Sequence, residues 1–373
     1  SWSEVQVDAP AELIDHSGVQ WYRIRALGIA EIPGGGIIAG DKVDLRLRKF
    51  DLHVNRRTGR RVMRPQATRM IEAIVKPVGA FTRPITAEKF INANNHNPVV
   101  DSYDSRDPDK SNFDPTNPSI YGTYNPDKRQ HNGNIATNGE LIDLSGAHIY
   151  GDVGTNGGEA DDTENVTGNI YNDFYEELPL VAQPLVTPEP DSPTNIRTNA
   201  DLPAMVDRTA TYVVSTISLQ GSEVLRITGD PDGRETFATI VVTGDISLSG
   251  QSQIVTDPNV FLRIFVVGDA DLTGGGIANP NSPLHLQIYG CERIDGTVGS
   301  IKIAGNGGMS ATVYAPNYDV TLVGGGSTDS VFGSIVGNSI SMTGVQSIHY
   351  DEALGNSGLI TGYKIASWIE DVR

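Results

Sequence analysis

From about Asn132 to Tyr350 the chain alternates short apolar, β-type stretches with Gly-Asp, Gly-Asn and Gly-Gly turns. Clear copies are Asn134-Ile-Ala-Thr-Asn-Gly139, Ala147-His-Ile-Tyr-Gly-Asp152, Ile240-Val-Val-Thr-Gly-Asp-Ile-Ser-Leu-Ser-Gly250, Phe265-Val-Val-Gly-Asp-Ala-Asp-Leu-Thr-Gly274 and Ile335-Val-Gly-Asn-Ser-Ile-Ser-Met-Thr-Gly344. Strands of roughly three to five residues, parted by turn residues that accept positive φ, cannot bury a face alone and must stack on neighbours of their own kind. The pattern predicts a parallel β-solenoid (β-helix), a rod whose function lies in shape and surface more than in a pocket.

Residues 1–80 read as an antiparallel β unit. Trp21-Tyr-Arg-Ile-Arg-Ala-Leu-Gly-Ile-Ala-Glu-Ile32 and Lys42-Val-Asp-Leu-Arg-Leu-Arg-Lys-Phe-Asp-Leu-His-Val54 alternate apolar and polar residues at period two, as half-buried strands do. Asp44, Arg46, Arg48 and Asp51 then face water, with a bulge near Lys49. A third strand, from Thr68 to Lys76, follows a hairpin connection at 55–59, and the glycines at 34–36 make a flexible joint. Residues 81–130 form a turn-rich lead-in, dense in Asx, Ser and Pro, which build local hydrogen-bonded turns. Residues 131–373 are expected to be solenoid, with a Pro-rich strap near 178–200. The five prolines from Pro179 to Pro193 forbid helix or central strand and favour an extended course along the solenoid or across two parts of it. The tail from Ile360 to Val372 is expected to add a strand or short helix as a C-terminal cap. The fold class is therefore all-β.

Composition adds little beyond agreement: 41 Gly, 21 Pro and 38% hydrophobic residues suit many turns better than long helices. Charge adds an asymmetry. The net −18 divides into +4 over residues 1–80, where 13 Lys and Arg face 9 Asp and Glu, and −22 over the rest. No nucleic-acid partner is expected for the acidic part, since phosphate binding needs positive potential. A basic head on an acidic body can attract a neighbouring copy at contact range, or the charges are simply solvated surface. Arg56, Arg57, Arg60, Arg61, Arg64 and Arg69 either grip an anionic polymer or surface or merely solubilise a hairpin. No aromatic residue interleaves them for base stacking. The chain opens Ser1-Trp2-Ser3 with no initiating Met, which suggests an N-terminal piece that was removed by processing or left out by design or omission, and no membrane segment is read in it.

Candidate chemistry is sparse. Asp101, Asp104, Asp107 and Asp109 have the oxygen density for Ca²⁺, without the central Gly and terminal Glu of an EF-hand loop. No other cofactor is expected. A glycosidase needs two carboxyls across a cleft; Asp230, Asp232, Asp245, Asp269 and Asp271 are the candidates, the pair Asp269 and Asp271 foremost, against the plainer reading that they accept turn hydrogen bonds. No serine-nucleophile elbow, zinc motif or Walker loop is present. The glycine runs at 274–276, 305–308 and 324–326 read as solenoid corners. Cys291 is alone, so it forms no intrachain disulfide and reads as a buried core residue.

Several strings carry a resemblance: Val99-Val-Asp-Ser-Tyr-Asp-Ser-Arg-Asp-Pro108, Asn132-Gly-Asn-Ile-Ala-Thr-Asn-Gly139, Ala147-His-Ile-Tyr-Gly-Asp-Val-Gly-Thr-Asn-Gly157, and a final block of Ala311-Thr-Val-Tyr-Ala-Pro-Asn-Tyr-Asp-Val-Thr-Leu322, Phe332-Gly-Ser-Ile-Val-Gly-Asn-Ser-Ile340 and His349-Tyr-Asp-Glu-Ala-Leu354. Together they resemble the ectodomains of bacterial PilX-type, type IV pilus-associated proteins, whose pilin-like helix is absent from this sequence. The resemblance implies a non-enzymatic protein of the cell surface or extracellular space and transfers no site residue. The expected function is a structural or adhesive component of a pilus or surface filament, assembling through β edges or solenoid ends with copies of itself or with pilus subunits. The alternative is a β-helix that binds or degrades polysaccharide, with a glycan as partner.

Overall fold

The computed structural model describes residues 2–9, 21–31, 51–54, 61–64, 66–93, 98–117, 120–304, 309–324, 330–343, 347–356, 358 and 360–372. The described residues are almost entirely β, with four 3₁₀ turns and no α-helix. Two compact units are present: Ser1–Val78 with Gly362–Arg373, and Gly79–Thr361.

The first unit holds a four-stranded sheet in the order Trp2–Asp8, Tyr22–Glu31, Gln66–Gly79, Ile360–Val372. The first three pair antiparallel, and the register sets Arg25 opposite Glu72. Arg25 Nε donates to Glu72 at 2.7 Å, a cross-strand ion pair of the kind that fixes register. Asp51–Val54 and Arg61–Arg64 form a separate antiparallel pair. The glycine joint at 34–36, the bulge near Lys49, the connection at 55–59 and Arg56, Arg57 and Arg60 lie outside the described residues.

The second unit holds a large parallel sheet and a separate four-stranded parallel sheet, Ala200–Pro203, Val224–Thr228, Gln253–Thr256 and Gly276–Ala278. In both, the inward positions stack residue on residue. One ladder runs Tyr212, Ile240, Ile264, Ile288, Val313, Ile335, Ile85, Ile135, Val153, Ile170. A second runs Ile196, Ile217, Ile246, Ala270, Ile301, Val320, Ile340, Ile91, Ile142, Ala160. A third joins Ala200, Leu225, Ile254 and Ile277. The interior members are almost wholly buried, whereas Ile170, at the end of its ladder, is 49% exposed. β-Branched side chains repeated in register supply the apolar contact that strands so short lack singly.

Chain order and sheet order differ. The strands Ser330–Thr343 and Ser347–Asp351 are followed in the sheet by Ile85–Asn92 and Val99–Tyr103, the first strands of this unit. Residues from the expected lead-in segment are thus already sheet strands, and Ile360–Val372 stands in the four-stranded sheet of the other unit. The chain between Phe174 and Asn195 must return to the far end of the ladders, and it does so extended. Glu176 N donates to Asn138 Oδ1, Tyr314 OH to Pro179 O, Glu292 N to Val181 O and Glu189 N to Thr211 O. The proline-rich segment therefore crosses the sheet strand by strand, covering a second apolar cluster that includes Val181, Tyr289, Cys291, Tyr314 and Val336. Cys291 is buried, as its apolar surroundings suggested, and burial pushes its thiol up to about 12.

The Gly-Asp and Gly-Asn pairs work differently from the expectation of positive φ. Left-handed backbone does occur at other turn glycines, among them Gly146, Gly157, Gly221, Gly233, Gly250, Gly276 and Gly296. Gly151, Gly168, Gly244 and Gly268 instead allow close stacking: a Cβ on Gly168 would stand 2.3 Å from Asp152 Oδ1, and one on Gly268 would stand 2.3 Å from Asp245 Oδ1. The Asx side chain beside each glycine accepts from the next strand's backbone, Asn134 from Asp152 N (2.7 Å), Asp152 from Asn169 N (2.7 Å), Asp245 from Asp269 N (2.9 Å) and Asp269 from Ser300 N (2.8 Å). Glycine brings the corners together, and the Asx oxygen satisfies the amide exposed there.

Candidate functional site

After Val99–Tyr103 the chain makes a long excursion, 104–130, built from the Asx and Ser turns its composition predicts. Arg106 N donates to Asp104, Asp109 N to Asp107, Phe113 N to Ser111 Oγ, Thr116 N to Asp114 and Asp127 N to Asn125. These local bonds hold the segment without regular structure.

At its root the excursion joins Ser347–Asp351 through a buried polar clasp. Asp101 is fully buried: His349 Nδ1 lies 2.6 Å from one carboxylate oxygen, while Tyr124 OH donates to the other at 2.7 Å and Arg129 Nε stands 2.8 Å from it. Tyr124 stacks on the His349 ring at 3.8 Å. Asp351, also fully buried, accepts from Ser105 N (3.0 Å) and Ala353 N (3.1 Å), and burial raises its carboxyl above the usual range. Glu352 accepts from Ser102, Lys110 and Asn132, and its bond to Lys110 raises that ammonium. Asp101 and His349 are 248 residues apart in sequence. A carboxylate so buried is tolerated because every partner is charged or a strong donor.

Beside the clasp lies a groove of about 630 Å³. One wall comes from the excursion, with Ile120, Tyr121, Thr123 and Tyr124; the rest comes from strand-end turns, with Glu235, Asn259, Asn279, Asn281, Ser282, His285, Ser310 and Phe332. Tyr124 and Phe332 also contact His349, so clasp and groove share a wall. His285 continues an aromatic stack, 4.1 Å from Phe261, which is itself 5.3 Å from Phe237; Tyr121 meets its ring edge-on. Burial holds the imidazole down at about 4, so it is neutral at pH 7. Asn281 Nδ2 has no hydrogen-bond partner.

The sequence-derived candidates are placed elsewhere. Asp101 belongs to the clasp, Asp104 and Asp107 accept turn amides, and Asp109 is exposed. The four are not brought together, and among the described residues no group of three or more His, Cys, Asp or Glu could hold a metal. The physical reason is competition: Asx oxygens in tight turns already serve backbone amides, and Asp101 already faces a guanidinium. Asp230 is forked by Arg234, which holds its carboxyl below the usual range. Asp245 and Asp269 serve the corner ladder, and Asp271 is opposite Lys302 in register. None of the five, Asp232 included, lines the groove, where Glu235 is the one carboxylate among the described residues. The sequence reading missed His349, Tyr124, His285 and Asn281. The strings around Asp101 and His349 had been singled out, but nothing local in either marks their meeting.

Fold and site define an all-β protein with stacked parallel ladders, a buried polar clasp and a lateral groove. Residues 191–357, less than half of the chain, match a family described as a domain of unknown function (DUF7305). That span runs from just before Asn195–Ile196 to just after Ser347–Asp351, so it takes in the ladder strands of that stretch and the His349 side of the clasp, while the Asp101 side precedes it. Neither a curated protein nor a solved structure matches the chain.

Proposed function

We propose that the protein is an extracellular structural or adhesive component, a pilus-associated protein or the subunit of a surface filament, that assembles by β-strand addition. One observation carries this reading: among the described residues Ile360–Val372 ends the four-stranded sheet of the first unit, and its Ile365, Trp368 and Ile369 are 66%, 61% and 66% exposed. A long apolar edge strand is a template for pairing with another chain. The opposite edge, Trp2–Asp8, exposes Val5 and Val7 at 65% and 59%. Pairing one edge with the other on the next copy is head-to-tail, and such contacts give open filaments unless the rotation closes a ring.

The parallel ladders are, in this proposal, the faces of a β-solenoid. Its support is the recurrence of each strand's partner one repeat later in the chain, the in-register buried columns and the corner Asx bonds. Pilus association rests on the resemblance noted above, whose Asp101 and His349 strings meet in the clasp. No helix among the described residues is long and apolar enough to cross a membrane.

Sedimentation velocity of the wild type beside Ile365→Lys/Ile369→Lys tests the edge. Concentration-dependent assemblies that the double variant abolishes are expected; assemblies equally large in both proteins, or none in either, overturn the reading.

A further inference from the structure

We infer that the groove beside the clasp is a binding site for a neutral saccharide. This goes beyond the assembly reading and does not depend on it, because the groove lies wholly within the second unit. Its volume, about 630 Å³, falls within the range of sites that bury a small ligand. The chemistry of the lining narrows the ligand. Aromatic surface from Tyr121 and Phe332 adjoins amide and hydroxyl groups from Asn259, Asn281 and Thr123, and among the described residues the lining includes no Lys or Arg. Glu235 contributes negative charge, and the guanidinium beside the groove, Arg106, is already engaged by the Tyr121 ring at 5.3 Å and the Tyr121 hydroxyl at 3.2 Å, so a phosphate or uronate would meet repulsion from Glu235 and only a shared cation. A purely apolar ligand would leave the Asn281 amide unmatched. A sugar ring offers what remains: C–H faces for the aromatic rings, and neutral hydroxyls that both donate and accept.

An orphaned polar group adds an independent argument. Asn281 Nδ2 is a donor with no partner in the protein. Buried polar atoms without partners cost about 1–3 kcal/mol each, so native proteins rarely keep them without a use. Asn281 is only half-buried and lines the groove, so its amide belongs to the wall a ligand hydroxyl would meet. The fixed, neutral His285 stack gives the groove a rigid apolar wall.

The test is isothermal titration of the full chain with cellopentaose, maltopentaose, laminaripentaose, mannopentaose and chitopentaose, and with penta-galacturonate as the anionic counterpart. At least one neutral pentasaccharide should bind with Kd below ~1 mM. Tyr121→Ala and Asn281→Ala should each weaken it about tenfold or more, and penta-galacturonate should bind at least about tenfold less tightly. Far-UV circular dichroism checks that each variant is folded; if Tyr121→Ala is not, Glu235→Gln replaces it and should alter the same affinity. No binding of any neutral sugar at ~10 mM, a preference for the galacturonate, or affinity unchanged in the folded variants overturns the inference. Failure here leaves edge-strand assembly standing, since sedimentation reads a different unit.

Discussion

Removing the carboxylate of the clasp should loosen the second unit while leaving the first unchanged. Asp101 is fully buried and faces His349 Nδ1, Tyr124 OH and Arg129 Nε at 2.6, 2.7 and 2.8 Å. Asp101→Ala strands all three. Breaking a buried pair by removing one partner costs about 3–5 kcal/mol. The Arg129 side chain is 29% exposed, so water recovers part of that loss, and the lower end, about 3 kcal/mol, is expected. Asp101→Asn keeps one acceptor and should cost about 1–2 kcal/mol. The sequence provides separate probes, because its three tryptophans, Trp2, Trp21 and Trp368, all lie in the first unit. In guanidinium titrations, far-UV circular dichroism reports chiefly the larger second unit and tryptophan fluorescence the first. With m on the order of 5 kcal/mol/M, Asp101→Ala should lower the dichroism midpoint by roughly 0.6 M. The fluorescence midpoint should not move. A dichroism shift below ~0.1 M, or an equal shift by both probes, would refute the clasp as a bond that holds Val99–Tyr103 to Ser347–Asp351.

Three further outcomes follow from the packing and titration described above. Gly268→Ala places a Cβ 2.3 Å from Asp245 Oδ1 and 2.5 Å from the Gly244 carbonyl carbon; it should cost about 1–3 kcal/mol in thermal melts, and an unchanged Tm would count against close stacking at the corners. His285 is held near 4 in the folded chain by burial, against 6.5 normally. Its contribution is therefore complete above pH 6.5, declines as pH falls toward 4 and is constant below, about 3 kcal/mol in all. His285→Phe, which keeps the ring stack, should flatten the stability profile between those values, with the raised Asp351 acting the opposite way in both proteins alike; identical slopes would refute the assignment. The Cys291 thiol, pushed up to about 12 and buried, should resist a disulfide reagent at pH 8 until the chain unfolds, and prompt labelling of native protein would contradict that placement.

The all-β character, the local turns of 104–130, the extended proline segment and the buried Cys291 were legible because each rests on neighbours in sequence: alternation, Asx turns, fixed proline φ, an apolar run. What was not legible depends on distant partners. Ser334 Oγ donates to Arg83 O across 251 residues, and no local pattern announces that Ile85–Asn92 follows Ser330–Thr343 in the sheet. The tail from Ile360 reads as a strand or short helix capping the solenoid, but its sheet is chosen by a partner strand nearly three hundred residues earlier. Glycines needed for close approach look, in sequence, like glycines needed for positive φ. The groove escaped for the same reason: Tyr121, Asn281 and Phe332 are ordinary residues until the fold gathers them.

Cryo-electron microscopy of the purified protein at high concentration tests edge-strand assembly most directly. The account predicts open filaments in which the four-stranded sheet continues from copy to copy, with Ile360–Val372 hydrogen-bonded to a strand of its neighbour. Discrete single molecules at every concentration, or filaments in which that edge stays free, would contradict it.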